Sequence, residues 1–284
     1  MVSTECKYIY PSVLTIAGSD SSSGAGIQAD LKTISALGCY GTSAITVITA
    51  QNTLGVTSLH HLPAAIVADQ ITAVLNDIKP HAIKIGMIGK TELLQAIFDI
   101  LNIYPEIPII LDPVMMATSG YRLADENMIE LMKTLLIPIT ALITPNLDEA
   151  SVLAEMEIST VVQMKTAAQK ILTFGCGAVL VKGGHLHGSK LCDVYIDKTG
   201  REFIYENDKI SSQNTHGTGC TLSSAIASFI ARDFEISDAI TYAESYVHQA
   251  IAQGIDVTTG KGKGPLNHLY APIPLIKYHQ EAKN

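Results

Sequence analysis

The stretch Asn214-Thr215-His216-Gly217-Thr218-Gly219-Cys220 carries the most concentrated chemistry in the chain. Gly217 and Gly219 flank one threonine, so consecutive backbone N–H groups can converge on a point. The small, apolar run Thr221 to Ala231 behind them reads as a helix whose positive end adds to that point. The pattern is that of an anion site. Cys220 falls at the helix start, where the same field is expected to lower its pKa toward thiolate. The competing reading is an ordinary glycine loop with a buried structural thiol.

Other segments place charge where such a site needs it. Ile109-Ile110-Leu111 runs into Asp112-Pro113-Val114, and Ala141-Leu142-Ile143 runs into Thr144-Pro145-Asn146-Leu147-Asp148-Glu149. Each is an apolar strand stopped by proline, with a carboxylate delivered at or just beyond its C-terminal end. In an open parallel sheet, ligands collect at those ends, so Asp112 and Glu149 together could hold a hard cation such as Mg²⁺ through water or phosphate. Taken singly, Asp112 reads as a loop carboxylate and Glu149 as a first-turn residue complementing a helix dipole. The strand Gly177 to Val181 delivers Lys182-Gly183-Gly184-His185, a lysine beside glycines that can meet a phosphate as a point charge.

Two glycine motifs point elsewhere. Gly24-Ala25-Gly26-Ile27-Gln28-Ala29 matches a dinucleotide fingerprint. A serine-rich insert separates it from its strand, however, and the next strand, Ala44 to Ala50, ends in Gln51-Asn52 with no carboxylate for a ribose. Gly89-Lys90-Thr91 looks like the end of a phosphate loop, but the first glycine of that motif would fall at Lys84; Thr91 reads better as the cap of a helix from Glu92 to Leu101.

The elements that must position these residues alternate along the chain. A strand from Val13 leads through Ser19 to Gly26 into a helical pattern at Ile27, Leu31, Ile34 and Leu37. Ala64 to Ile78 predicts an amphipathic helix with Ile66, Ile71, Val74, Leu75 and Ile78 on or near one face. Ala82 to Ile88 predicts a buried strand, Lys198 to Arg201 the turn of a β-hairpin, and Asp238 to Gln253 a helix followed by the basic glycine loop Gly260 to Pro265. This alternation predicts a three-layer α/β/α sandwich with a mostly parallel central sheet, its strand ends on one edge. We expect one domain over residues 1–284, with 1–11 an N-terminal extension and 272–284 a tail.

Composition is compatible with this. Of 284 residues, 47% are hydrophobic and 16% charged, enough for a large core and too few charges for disorder. A net charge of −8 argues against nucleic acid as the main partner. The five cysteines form no CxxC pair and fit a reducing cytoplasm, and no continuous apolar run suits a membrane span.

With these segments assembled, the chain resembles the ribokinase-like superfamily and, within it, the hydroxymethylpyrimidine/phosphomethylpyrimidine kinases of thiamine biosynthesis. The resemblance rests on Ala17 to Lys32, Ala50 to Thr53, Lys84 to Met87, Asp112 to Met115, Thr144 to Ala150, Val181 to His185 and Thr215 to Cys220, in that order. It implies ATP-dependent phosphorylation of the hydroxymethyl group of 4-amino-5-hydroxymethyl-2-methylpyrimidine and then of the monophosphate, giving the diphosphate. It assigns Gln51, Asp30 and Gly18 to the pyrimidine site, with Met87 and Val114 as its apolar walls. Asp112 and Glu149 fall on the Mg²⁺ side, Lys182, Asn146 and Glu149 on the ATP side, and Gly217, Thr218, Gly219 and Cys220 at the reacting centre. It also implies a homodimer. Much of the superfamily has a catalytic aspartate where this chain has Cys220, Ser23 stands where glycine is frequent, and Lys261 and Lys263 stand where histidine is frequent.

The nearest rival is a vitamin B6 kinase acting on pyridoxal or pyridoxine. Gln51-Asn52 favours the pyrimidine, because an amide can pair with both a ring nitrogen and an exocyclic amine. A non-catalytic binding protein on the same fold is the other rival, and Asp112, Glu149, Lys182 and the glycine motif argue against it.

Overall fold

The computed structural model describes residues 8–116, 124–184 and 190–279. His185, Cys6 and the ends of both terminal segments lie outside them. In chain order the elements are β1 (Tyr8–Ile9), β2 (Ser12–Asp20), α1 (Gly26–Ala36), β3 (Tyr40–Asn52), β4 (Gly55–His61), α2 (Ala64–Asp77), β5 (Ala82–Ile85), α3 (Thr91–Leu101), β6 (Ile109–Leu111), α4 (Glu126–Leu131), β7 (Leu142–Ile143), α5 (Leu147–Ala154), α6 (Val161–Leu172), β8 (Ala178–Val181), β9 (Lys190–Asp197), β10 (Glu202–Asp208), α7 (Thr218–Ile230), α8 (Ile236–Ala252) and β11 (Tyr278–His279). β1 pairs with β11, tying the two terminal segments together.

All other strands form one nine-stranded sheet in the order β10-β9-β8-β7-β6-β5-β2-β3-β4. From β3 to β8 across the sheet the pairing is parallel; β4 and the β9–β10 hairpin add antiparallel edges. The expected hairpin forms, its turn folded by Asp197, which accepts from Thr199 N at 2.8 Å and Arg201 Nε at 2.7 Å.

Alternation along the strands builds two cores. Leu14, Ile16, Ile83, Ile85, Ile109 and Leu111 face the layer of α2 to α6, while Val13, Ala82 and Ile110 face α1, α7 and α8. A sheet buried on both faces explains why its strands read as continuous apolar runs. β2 sits where the winding reverses: β3 lies on one side of it and β5 on the other. Crevices form outside the carboxyl ends of strands at such a reversal, so Gly18, Gln51, Met87 and Asp112 come from elements converging there.

Three local expectations need correction. α2 buries Val67, Ile71 and Leu75, whereas Ile66 and Ile78 are exposed. The apolar face is shorter and narrower than composition suggested: 67, 71 and 75 follow the helical period, 66 stands off it, and Ile78, though in register, falls at the C-cap beyond the last helical turn. Thr91 is the first residue of α3 and makes no capping bond; Lys90, in extended conformation, holds the cap position. β5 ends at Ile85, so Gly86 to Ile88 continue as loop and carry Met87 to the sheet edge.

Candidate active site

The glycine motif closes over the sheet edge as an N-terminal turn of α7. Gly217 holds φ +84°, and a Cβ there would lie 1.9 Å from Gly24 O, so only glycine fits. Thr221 N makes the first intrahelical bond, to Gly217 O at 2.9 Å; the N–H groups of Gly219 and Cys220 precede it and are the orphan donors of the helix start. A Cβ on Gly219 would stand 3.3 Å from Lys182 Nζ and 3.6 Å from Asp112 Oδ2. The free N–H groups of the helix start, the lysine and the carboxylate therefore meet at one point.

Lys182 Nζ pairs with Asp112 Oδ1 at 2.8 Å, and both side chains are largely buried. Glu149 is fixed beside them by a capping box: its Oε2 accepts Asn146 N at 2.8 Å while Asn146 Oδ1 accepts Glu149 N at 2.9 Å. Asn146 is thus tied up as the α5 cap, and it presents its backbone and Glu149 together. Burial pushes the Glu149 carboxyl up to about 7; Lys182 opposes the shift and Asp112 adds to it. A carboxylate destabilised by burial, with Asp112 adding to it, gains from an added cation. Among the described residues no group of three or more His, Cys, Asp or Glu gathers as a metal cluster. Two hard oxygen donors that leave coordination positions to water and phosphate suit Mg²⁺.

Gly18, Gln51, Met87 and Val114 line the same cavity, of about 530 Å³, as Asp112, Glu149, Lys182 and Gly217 to Cys220. Gly18 lies against Met87, whose sulfur would be 3.3 Å from a Cβ at Gly18. The Met87 carbonyl is anchored by Thr46 Oγ1 at 2.6 Å. Gln51 is pinned through its backbone N–H and C=O by Ser21 Oγ at 2.8 and 2.7 Å.

Asp30 does not belong to this cavity. It is fully buried below it, accepting from Lys84 Nζ at 2.8 Å, Thr15 Oγ1 at 2.6 Å and Ser224 Oγ at 2.7 Å. Burial works against the Lys84 charge, but Asp30, with Cys220 and Asp112, more than offsets it and holds the Lys84 pKa above the ordinary range. With both oxygens engaged, Asp30 has no capacity left for a substrate; its place is to bind α1, α7, β2 and β5 together beneath the cavity.

The expected direction for Cys220 is also overturned. Burial pushes the thiol up to about 11; Lys84 and the Gly26 N–H pull against this, and Asp30 and Asp112 add to it. A helix start contributes well under the cost of desolvating a thiolate at this depth.

Residues without an assigned role in the sequence reading complete the site. Asp20 accepts from Ser22 N, Gly24 N and Ala25 N at 2.8, 3.1 and 2.9 Å, and from His216 Nε2 at 2.9 Å. Burial alone would raise its pKa, but His216, Ser22 and Ala25 hold it at about 2. His216 Nε2 is also 3.1 Å from the Gln51 amide. The Gln51 side chain is held between Thr49 and His216: its Oε1 lies 3.2 Å from Thr49 Oγ1 and its Nε2 faces the His216 ring. One Gln51 N–H and one oxygen lone pair then remain for a ligand. The basic glycine loop is stapled nearby: Lys263 N donates to Thr53 O at 3.1 Å, and Lys263 lines the cavity. Serine and aspartate after a strand signal the turn at Asp20; no local signal points to His216 as its partner.

A sequence profile described as phosphomethylpyrimidine kinase matches residues 20–267. The chain belongs to the phosphomethylpyrimidine kinase family. The family's hydroxymethylpyrimidine/phosphomethylpyrimidine kinase from Rhizobium meliloti is 43% identical over 90% of this chain and 96% of that protein. The chain spans 52% of the length of two bifunctional thiamine-biosynthesis relatives. Among solved structures, the phosphomethylpyrimidine kinase of Clostridium difficile is 44% identical, with a TM-score of 0.76 over 84% of this chain and 99% of that one. The pyridoxal kinase of Staphylococcus aureus in complex with ADP is 31% identical, with a TM-score of 0.85 over 96% of this chain and 100% of that one. Among the described residues no helix is long and apolar enough to cross a membrane.

Proposed function

We propose that this protein transfers the γ-phosphoryl group of ATP to the hydroxymethyl of 4-amino-5-hydroxymethyl-2-methylpyrimidine, and a second phosphoryl group to the resulting monophosphate, in thiamine biosynthesis. The observation that carries the reading is the convergence of the Gly219 backbone, Lys182 and Asp112 at one end of a cavity whose other side presents Gln51. Phosphoryl transfer through a loose transition state asks mainly for alignment and charge neutralisation. The Gly219 and Cys220 N–H groups face developing negative charge, and Lys182 neutralises the transferred group. Asp112 and Glu149 would hold Mg²⁺, which supplies electrophilic charge at the phosphates. Cys220, a neutral thiol at working pH, walls the pocket beside the acceptor rather than serving as a preformed base. Gln51 reads the aminopyrimidine edge, and Gly18, Met87 and Val114 enclose its ring.

Incubation with ATP, Mg²⁺ and the pyrimidine, followed by mass spectrometry, tests this. Mono- and then diphosphate are expected; no phosphorylated pyrimidine would refute it. A secondary vitamin B6 kinase activity is favoured by the likeness to the S. aureus pyridoxal kinase, and we place it below the pyrimidine activity because of Gln51. The reading carries with it one kinase domain over residues 1–284, a homodimer and a cytoplasmic location; sedimentation analysis tests the dimer.

A further inference from the structure

Behind Lys182 lie two carboxyl groups that the transfer chemistry leaves unused. Asp193 of β9 is buried, and its Oδ1 accepts the Gly183 N–H at 2.8 Å. Glu244 of α8 comes to the same place from the helix layer, its carboxyl within hydrogen-bonding reach of Asp193. Glu244 Oε2 accepts from Asn207 Nδ2 of β10 at 3.2 Å, while Oε1 is buried with no donor to satisfy it. Gly183 is clamped on its other side: a Cβ there would fall 2.1 Å from Cys192 O and 3.1 Å from the Met164 methyl. The position after Lys182 is therefore set by β9 and by whatever holds the Asp193 carboxyl.

Two adjacent buried carboxylates cannot both stay ionised. The nearby cation, Lys182, is already engaged by Asp112 at 2.8 Å. A proton on Glu244 resolves both problems, since it makes the orphan oxygen a donor and gives Asp193 a partner. Burial raises the pKa of both groups, further for Glu244, which fits that assignment.

We propose that Glu244 stands as the neutral acid donating to Asp193, and that the pair is a positioning device fixing the Gly183 N–H, and with it Lys182, where nucleotide phosphates bind. Only the identification of that ligand as a nucleotide rests on the kinase reading. Truncating Glu244 removes the donor and lets the buried Asp193 charge pull on Gly183 and Lys182.

Two readouts on the full chain test this. Infrared difference spectra of the wild-type protein and Glu244→Gln at neutral pH should show one protonated carboxylic C=O band lost in the variant; identical spectra in that region would overturn the proposal. Calorimetry with ADP and Mg²⁺ should show roughly tenfold weaker binding for Glu244→Ala, with Glu244→Gln, whose amide still donates, within about twofold of wild type. Hydroxymethylpyrimidine binding should be unchanged in both. Unchanged ADP affinity in Glu244→Ala, or equal loss of ADP and pyrimidine binding, would also overturn it. If Glu244→Ala fails to fold, the infrared measurement on Glu244→Gln decides. Failure of pyrimidine phosphorylation would sink the functional reading while leaving both readouts intact.

Discussion

Replacing Cys220 by alanine separates two mechanisms that the sequence leaves open. With its pKa pushed up to about 11 by burial, only a small fraction of the thiol is ionised near neutral pH. If that fraction supplied the base, kcat would climb about tenfold per pH unit across the alkaline range, and Cys220→Ala would lose ~10²–10⁴ in kcat. A thiol that only shapes the pocket predicts something different: a loss of less than ~10-fold in Cys220→Ala, and no alkaline climb in either protein. The pH profile should instead carry the limb of Glu149, rising through about pH 7 at low Mg²⁺ and moving to lower pH as Mg²⁺ saturates. Steady-state kcat and kcat/KM from about pH 6 to about pH 10, for wild type and Cys220→Ala, make the test. A unit-slope alkaline rise present in wild type and absent in the variant, with a loss above ~100-fold, would show that Cys220 is the base.

Three more outcomes follow from the same geometry. In the metal-free protein Glu149 favours folding below its unfolded pKa, and that contribution is lost as pH rises from the ordinary 4.5 through about 7; Glu149→Gln, which can still close the capping box, should raise Tm near pH 8 by the equivalent of up to ~3 kcal/mol while abolishing the Mg²⁺ response, and an unchanged Tm would count against the strain. Gly217→Ala, forced against Gly24 O, should lose more than ~100-fold in kcat, and near-normal turnover would show that the turn does not hold the anion site. His216→Leu removes the contact that orients Gln51 and should lower kcat/KM for the pyrimidine by about tenfold with little change in the KM for ATP; equal effects on both substrates would argue for general disruption.

Much of the site is legible because strand ends are legible. Leu111 stops at Asp112-Pro113 and Ile143 at Thr144-Pro145, so the strand ends alone bring Asp112 and Glu149 to one edge, and the glycines around Thr218 signal the turn that starts α7 beside them. Resemblance assigns Asp30 to the pyrimidine site because it gives residue types and not the direction of a side chain. Its own spacing carried the answer: Ile27, Asp30 and Ile34 share one helical face, and Lys84 between Ile83 and Ile85 is a lysine inside a buried strand, which demands a buried carboxylate. For Cys220 the two opposing effects were both foreseeable, but which one wins depends on depth, which only the packing of α7 against Asp30 and Lys84 supplies. The bond from His216 to Asp20 spans 196 residues, beyond the reach of any local signal.

A side-by-side kinase assay with ATP and Mg²⁺ tests whether this cavity is built for an aminopyrimidine. Gln51 facing the cavity beside Gly18, Met87 and Val114 predicts a kcat/KM for hydroxymethylpyrimidine above that for pyridoxal, with the preference reduced by about tenfold or more in Gln51→Leu. A higher kcat/KM on pyridoxal, or a preference that Gln51→Leu leaves untouched, would show that Gln51 does not select an aminopyrimidine.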